Sequence, residues 1–423
     1  MRHERVEIGR ALVVFFKSPL HILPEEGTSR TIEDVLSALV EAGFEPKSLG
    51  VHSSPIETNG DCDVLIFYFL TGGTGRIAFE TWLGSRKPVI LLAGEKNNAL
   101  PSARRTEQLI RWNGGFPVVV YHEDFLGRTL RRIAESSILS MVPWKLSSST
   151  FGVIGGDLSR FRLAESRFGF NTVEIPIETV VDAFEKIGRQ QAEEGARELA
   201  SRVLDILEPS MSDITEAYRL YIALKKTVES LGLNALSVDC FPLIEEFKVA
   251  PCLAVSLLND EGVTSGCEAE ADSLLTMHIF RLLTGKPSWM VNVNTLNYEK
   301  RMIGVSHCTM PASLSGGVES VTLRSHFESK SSVAVSGDYK PLRVTLAKIT
   351  GKKFEKLYLA RGRVLKSNLM LEYMCRSQAF IKLDQGFENF IFSEMGNHVV
   401  VMAGDHIKSF KRIAEFYQLE VKI

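Results

Sequence analysis

Apolar residues in the first third of the chain fall into short unbroken runs separated by longer, helically spaced stretches. ALVVFF (11–16), DVLIFYFL (63–70), PVILLA (88–93) and PVVVY (117–121) have the length and content expected of strands buried on both faces. Between them, IEDVLSALVEAGF (32–44), the residues after the turn TGGTG, 103–113 and 125–140 read as helices. Strand and helix in alternation predict a parallel sheet with helices on both faces.

The same grammar restarts at FGVIGGDLSRF (151–161), after PWKLSSST. Helices are expected across 178–207 and 213–231, with a short strand at ALSVD (235–239). DCFPLIEEF and APCLAVSLLNDEG then lead into GCEAEADSLLTMHIFRLLTG (266–285). Beyond Pro311, ESVTLRSHF, SSVAVSGDY, LRVTLAKIT, KLYLARGRVL and AFIKLD alternate with period two between turn residues, as in an antiparallel sheet or small barrel. NHVVVMAGDHIKSFKRIAEFYQLEVKI closes the chain as a strand and a helix. The fold class predicted is α/β: two Rossmann-like parallel-sheet domains (1–147 and 148–310) followed by a mostly antiparallel, barrel-like domain (311–423), with the site where they meet.

The glycine turn Thr71–Gly75 is neither GxGxxG nor a P-loop, and a strand-to-helix turn needs glycine for backbone reasons alone. Gly72, Gly73, Gly155 and Gly156 are therefore read as structural. Charge excludes one class of partner: Lys+Arg 49 against Asp+Glu 51 leaves a net charge of −2, without the basic excess that nucleic-acid binding requires. A small, uncharged molecule or another protein is expected instead. The cysteines at 62, 240, 252, 267, 308 and 375 show no CxxC spacing, which points to reduced thiols in a cytoplasm. ALVVFF is too short for a signal segment, and no stretch reaches the ~18 apolar residues that span a bilayer, so no membrane is expected as a partner.

Chemistry concentrates near the acidic start of 266–285. Glu268, Glu270 and Asp272 occupy five positions ahead of an apolar helix, where acidic groups complement the helix dipole. Glu268 differs in following Gly266 and Cys267 in an uncharged segment, which suits an inward-facing carboxylate. His3, His21, His52 and His122 fall at the terminus or in apparent surface turns, and His278 reads as a core histidine. His307 follows a strand in MIGVSHCTMPASL, and His398 stands after a Gly-Asn turn at the start of another. With Glu268 they make one carboxylate and two imidazoles, a set that binds Mn²⁺, Mg²⁺, Co²⁺ or Fe²⁺ with positions left for substrate.

DCFPLIEEF, CLAVSLLNDEG, CEAEADSLLTMHIFRLLTGKP and IGVSHCTMPASLSGG, with LRSHFES, CRSQAFIKLD and GNHVVVMAGDH later, resemble the L-fucose isomerase and L-arabinose isomerase superfamily, and its "fucose isomerase-like" members above all. The resemblance is strongest over about 235–317; the first 230 residues match in layout more than in motif. It implies a divalent metal, Mn²⁺ first with Mg²⁺ or Co²⁺ as alternatives, held by Glu268, His307, His398 and the position of Asn292, where fucose isomerases carry aspartate. An amide can ligate a metal but cannot take a proton.

Aldose–ketose isomerisation through a cis-enediol needs a base, an acid and a cation. The resemblance makes Glu268 one acid/base group; the second is sought among Glu270, Asp272 and Glu299, with Asp272 one helical turn from Glu268. His326, Glu328 and Arg376 are candidate contacts for an open-chain sugar. The expected function is a metal-dependent sugar isomerase. The alternatives are another metal-assisted proton transfer, such as epimerisation, or a sugar-binding protein with a degenerate site. The resemblance further implies a homo-oligomer, trimer or hexamer, in which a neighbour's first domain helps to close the site.

Overall fold

Residues 8–122, 128–391 and 394–423 are described by the structure, a computed structural model. His3 and the first residues of the helix expected from 125 lie outside them. Five strands, β1 (Gly9–Phe16), β2 (Phe44–His52), β3 (Val64–Phe69), β4 (Val89–Ala93) and β5 (Val118–Tyr121), form a parallel sheet in the order β2-β1-β3-β4-β5. The unbroken apolar runs follow from burial on both sides. Val13, Phe15 and Ile66 meet Val35 and Leu39 of helix Glu25–Glu41. Val14, Phe67 and Leu91 meet Ala78, Trp82 and Ala103 of helices Gly75–Leu83 and Ala99–Trp112. Each such side chain contributes about 1.5–3 kcal/mol on burial. The turn after β3 is occupied by its own bonds: Ser18 N–H donates to Thr71 Oγ1 at 2.8 Å, and Gly73 takes a φ of 78°. His122 does not sit in a surface turn; it is buried, with Nε2 3.2 Å from the Tyr68 hydroxyl.

The chain divides into two compact units, residues 1–145 and 146–423. The second holds β6 (Thr150–Ile154), β7 (Asn171–Ile175), β8 (Asp205–Ile206), β9 (Ala235–Val238), β10 (Thr264–Cys267), β11 (Trp289–Asn297), β12 (Met302–His307), β13 (Val321–Arg324), β14 (Ala334–Gly337), β15 (Arg343–Thr350), β16 (Lys356–Ser367), β17 (Ser377–Gln385), β18 (His398–Ala403) and β19 (Glu420–Lys422). Strands β10-β9-β6-β7 form a second parallel sheet. The helical stretch expected over 178–207 is two helices, Ile177–Glu185 and Arg189–Arg202, with Gly188 at the N-cap of the second.

Six antiparallel strands in the order β15-β18-β11-β12-β17-β16 close through a β15–β16 pairing into a barrel, and β19 joins β16 in parallel. Alternate residues fill its interior, among them Trp289, Val291, Ile303, Val305, Ile381, Val399 and Val401. The barrel begins at Trp289, upstream of the residue 311 at which the β-rich texture was read. Conversely, β13 and β14 pair with β8 in a separate three-stranded sheet. Period-two alternation marks a half-buried strand but does not choose its partner. Among the described residues, no helix is long and apolar enough to cross a membrane.

Candidate metal centre

Glu268 stands just past the C-terminal end of β10, not in the helix it was expected to open. The helix runs Ala271–Thr284, and Glu270 is its N-cap, accepting a hydrogen bond from Ser273 N–H at 2.7 Å. Glu268 and Ala269 both adopt left-handed backbone, φ 58° and 46°, which costs a non-glycine residue about 1–3 kcal/mol and turns the Glu268 side chain out of the strand direction. This removes the helical-turn relation between Glu268 and Asp272. Asp272 is instead held in a bidentate pair with Arg160, both N···O distances 2.7 Å, and by the Thr350 hydroxyl at 2.5 Å. Glu270 pairs with Lys348 Nζ at 2.6 Å. Glu299 is exposed in the turn between β11 and β12, at the opposite end of that hairpin from Asn292.

The barrel supplies the imidazoles. His307 ends β12 and His398 begins β18; β11 runs between these strands, and Asn292 is the register partner of His398. Glu268 Oε1 lies 3.9 Å from His307 Nε2 and 3.5 Å from His398 Nε2, and one ligand atom from each of the three residues falls within 4.8 Å of the others. Both histidines are buried, whereas the Glu268 side chain is 34% exposed, so the cluster opens on the glutamate's side. The Thr309 hydroxyl holds His307 Nδ1 at 3.0 Å and leaves Nε2 for the cluster.

Charge follows from this packing. Burial, reinforced by His398, pushes the His307 pKa down to about 4, so the ring is neutral at pH 7 and its Nε2 can ligate. The His398 imidazole chiefly, with His307 and His326 adding, holds the Glu268 carboxyl below its ordinary value against the effect of burial. One carboxylate and two imidazoles suit a borderline or hard divalent ion. The donor chemistry and the prearranged His307 ring therefore fit a metal, with Glu268, His307 and His398 as the residues that would hold it.

The remaining expected site residues surround this cluster. Asn292 is half-buried, and its Oδ1 accepts from Asn397 Nδ2 at 3.2 Å. The buried His326 has Nε2 3.1 Å from Glu328 Oε2, and the charge of Glu328 reaches His307. Arg376 is turned onto the same loop: Nε donates to Ser325 O at 2.7 Å and Nη2 to Ser325 Oγ at 2.8 Å. It thus ties the segment carrying His326 and Glu328 to the strand that follows Cys375. His278 is a satisfied core histidine, with Ser149 Oγ and Thr264 Oγ1 each at 3.0 Å.

Sequence reading missed four residues: Thr309, Asn397, Lys348 and Asp239. Asp239 had a detectable signal, since it ends the apolar strand ALSV as Glu268 ends TSGC, and strand ends are where parallel sheets place ligand-facing groups. Lys348 had none, because a lysine in an alternating strand reads as solvent-facing, yet this one is buried against Glu270.

No protein-family profile matches the chain. It is similar to proteins named sulfoquinovose isomerase: one from a Clostridium species, 30% identical over 114 residues, and one from Priestia aryabhattai, 24% identical over 159 residues. A third, from Alkalicoccus urumqiensis, is 30% identical over 99 residues. These matches span 26%, 37% and 23% of this chain and 26%, 36% and 21% of the respective relatives. Over those partial lengths the chain is similar to sugar isomerases.

Proposed function

We propose that this chain is a divalent-metal-dependent aldose–ketose isomerase acting on a sugar or sugar derivative, with sulfonated hexoses such as sulfoquinovose the first substrates to try. The observation that carries the reading is the convergence of Glu268, His307 and His398 from three separate strand ends within 4.8 Å. The names of the partial relatives support the same reaction class.

A bound divalent cation supplies electrophilic pull on the sugar's carbonyl and neighbouring hydroxyl oxygens. The chain's own residues do the rest. Glu268 faces both imidazoles through Oε1, which leaves Oε2 to take the proton from the carbon beside the carbonyl and return it to the adjoining carbon. Its lowered pKa keeps it ionised and ready as a base. Buried His307 and His398 wall off the inner side from water. Glu270–Lys348 and Asp272–Arg160 hold the segment immediately after Glu268.

The test is metal content followed by exchange in D₂O over a panel of pentoses, hexoses and sulfoquinovose with Mn²⁺ added. Deuterium entering beside the carbonyl of one sugar is the expected result, because the 34%-exposed Glu268 carboxyl exchanges its captured proton with solvent before returning it, and it is lost in Glu268→Gln. Metal binding without exchange on any sugar would overturn it. One observation favours a sugar-binding role instead: Asn292 is an amide, its oxygen already engaged by Asn397. Under that second reading, Asn292→Asp creates exchange that the native protein lacks.

A further inference from the structure

The isomerase reading leaves one group unassigned: something must move the oxygen-bound proton while Glu268 moves the carbon-bound one. Three candidates came from the sequence, and all three are committed elsewhere or distant from the cluster. Glu270 caps a helix and pairs with Lys348; Asp272 is locked by Arg160 and Thr350; Glu299 lies at the far end of a hairpin.

Asp239 is differently placed. Val238 and Cys267 are register partners on β9 and β10, so Asp239 and Glu268 leave neighbouring parallel strands side by side. The backbone confirms the juxtaposition, since Ala269 N–H reaches Val238 O at 3.4 Å and Asp239 N–H donates to Ile154 O at 2.8 Å. Asp239 occupies the N-cap of helix Cys240–Phe247; no capping bond of ordinary geometry forms there, although the Phe241 amide lies near enough to act on its carboxylate. Nor does any cation among the described residues form an ion pair with it. The Gly155–Gly156 turn leaves room for this arrangement: a Cβ on Gly155 would meet Asp239 Cβ at 3.1 Å, and one on Gly156 would meet Ala269 Cβ at 2.4 Å with Asp239 Oδ2 at 3.7 Å. Two glycines, one aspartate and the Glu268 turn therefore lie together at the carboxyl ends of β6, β9 and β10, where parallel sheets place ligand-facing groups.

Resting on the isomerase reading above, we propose that Asp239 is the second proton-transfer carboxylate of this site, serving the sugar oxygens while Glu268 serves the carbons. As Glu268 Oε2 takes the proton from C2, the C2–H electron pair becomes the C1=C2 bond, and the carbonyl π pair on O1 receives a proton from Asp239. In the second half Asp239 recovers a proton from the hydroxyl on C2, and Glu268 returns its proton to C1. Both carboxylates end as they began, and the sugar gains and loses no atoms. Giving a proton first requires Asp239 to hold one. Its partly buried place at the ends of β6, β9 and β10 raises its pKa against the nearby Phe241 amide, the direction a proton donor needs.

The experiment uses full-length protein loaded with Mn²⁺ and a sugar that the wild type turns over. Asn is as good an N-cap as Asp, so Asp239→Asn keeps the helix start. Expected for Asp239→Asn is a fall in kcat of about a hundredfold or more, with KM, Mn²⁺ content and melting temperature essentially unchanged. Asp239→Ser, another good N-cap, should fall equally, and Asp239→Glu should recover part of the loss. Wild-type turnover in Asp239→Asn would overturn this inference alone and leave the isomerase reading standing. Loss of Mn²⁺ or of folded protein in both Asp239→Asn and Asp239→Ser would overturn it in favour of a structural role. A wild type inactive on every sugar would sink the isomerase reading itself, and this inference with it.

Discussion

Lys348 Nζ lies 2.6 Å from Glu270 Oε1, and the lysine side chain is only 3% exposed. Lys348 belongs to barrel strand β15, while Glu270 caps the helix that follows the Glu268 turn. One buried ion pair thus joins the barrel to the segment that presents the candidate metal ligand.

Removing one partner should therefore cost much more than removing both. Lys348→Met leaves Glu270 buried without its counter-charge and should lower stability by about 3–5 kcal/mol. Adding Glu270→Gln to that variant should restore a large part of it. Urea denaturation of the two single variants and the double variant measures the coupling; strict additivity would show that Lys348 and Glu270 do not stabilise each other.

Thr309 should matter for metal without mattering for folding. Thr309→Val deletes the hydroxyl that fixes His307 Nδ1 at 3.0 Å and keeps the side-chain volume. Affinity for Mn²⁺, measured by titration, should fall about 10- to 100-fold. Unchanged affinity would mean that packing alone orients the ring.

Gly156→Ala should disturb the site through Ala269. The new methyl would sit 2.4 Å from Ala269 Cβ, on backbone already at a φ of 72°. The Glu268–Ala269 turn must shift, so Mn²⁺ affinity should drop together with a stability loss of about 1–3 kcal/mol. Gly232→Ala, at a helix end with φ 60° and open space around it, supplies the control for backbone strain without a clash.

Acid should destabilise the metal-free protein through its buried histidines. Burial lowers the His278 pKa from 6.5 to about 3, so the unfolded chain takes up a proton that the native state refuses. The stability this group contributes is present above pH 6.5 and is lost as pH falls from there toward 3, at about 1.4 kcal/mol per pH unit. His307, at about 4, adds a second proton of the same sign. Urea midpoints between pH 7.5 and 5 should decline in the wild type and decline less in His278→Gln; parallel slopes would contradict the assignment.

The sequence was most legible where burial is two-sided or the period is plain. ALVVFF and DVLIFYFL became β1 and β3 because a parallel sheet covered on both faces leaves no polar position to interrupt them. Of the candidate site, His307 and His398 were readable as imidazoles beside strands and Glu268 as an inward carboxylate at a helix start, and the structure brings the three together. Pairing was not readable: ESVTLRSHF and SSVAVSGDY have the alternation of barrel strands yet join β8, while WMVNVNTLN and MIGVSH entered the barrel from upstream. Nor was the Glu268 turn. Two consecutive left-handed residues without glycine leave no compositional trace, so the acidic cluster read as a simple helix start, and Asp239 on the next strand went unconsidered.

The three ligand candidates come from two layers that share no strand: Glu268 from the parallel sheet, His307 and His398 from the barrel. An ion held by all three would act as a tether between them. Mass action then requires loading to protect both layers by the same increment, growing as RT ln(1 + [M²⁺]/Kd). Amide exchange at Ser237 and at Val400, unrelated in sequence and in hydrogen bonding, would slow together as the ion concentration rises. The centre would then be felt as shared rigidity well beyond the atoms that touch it.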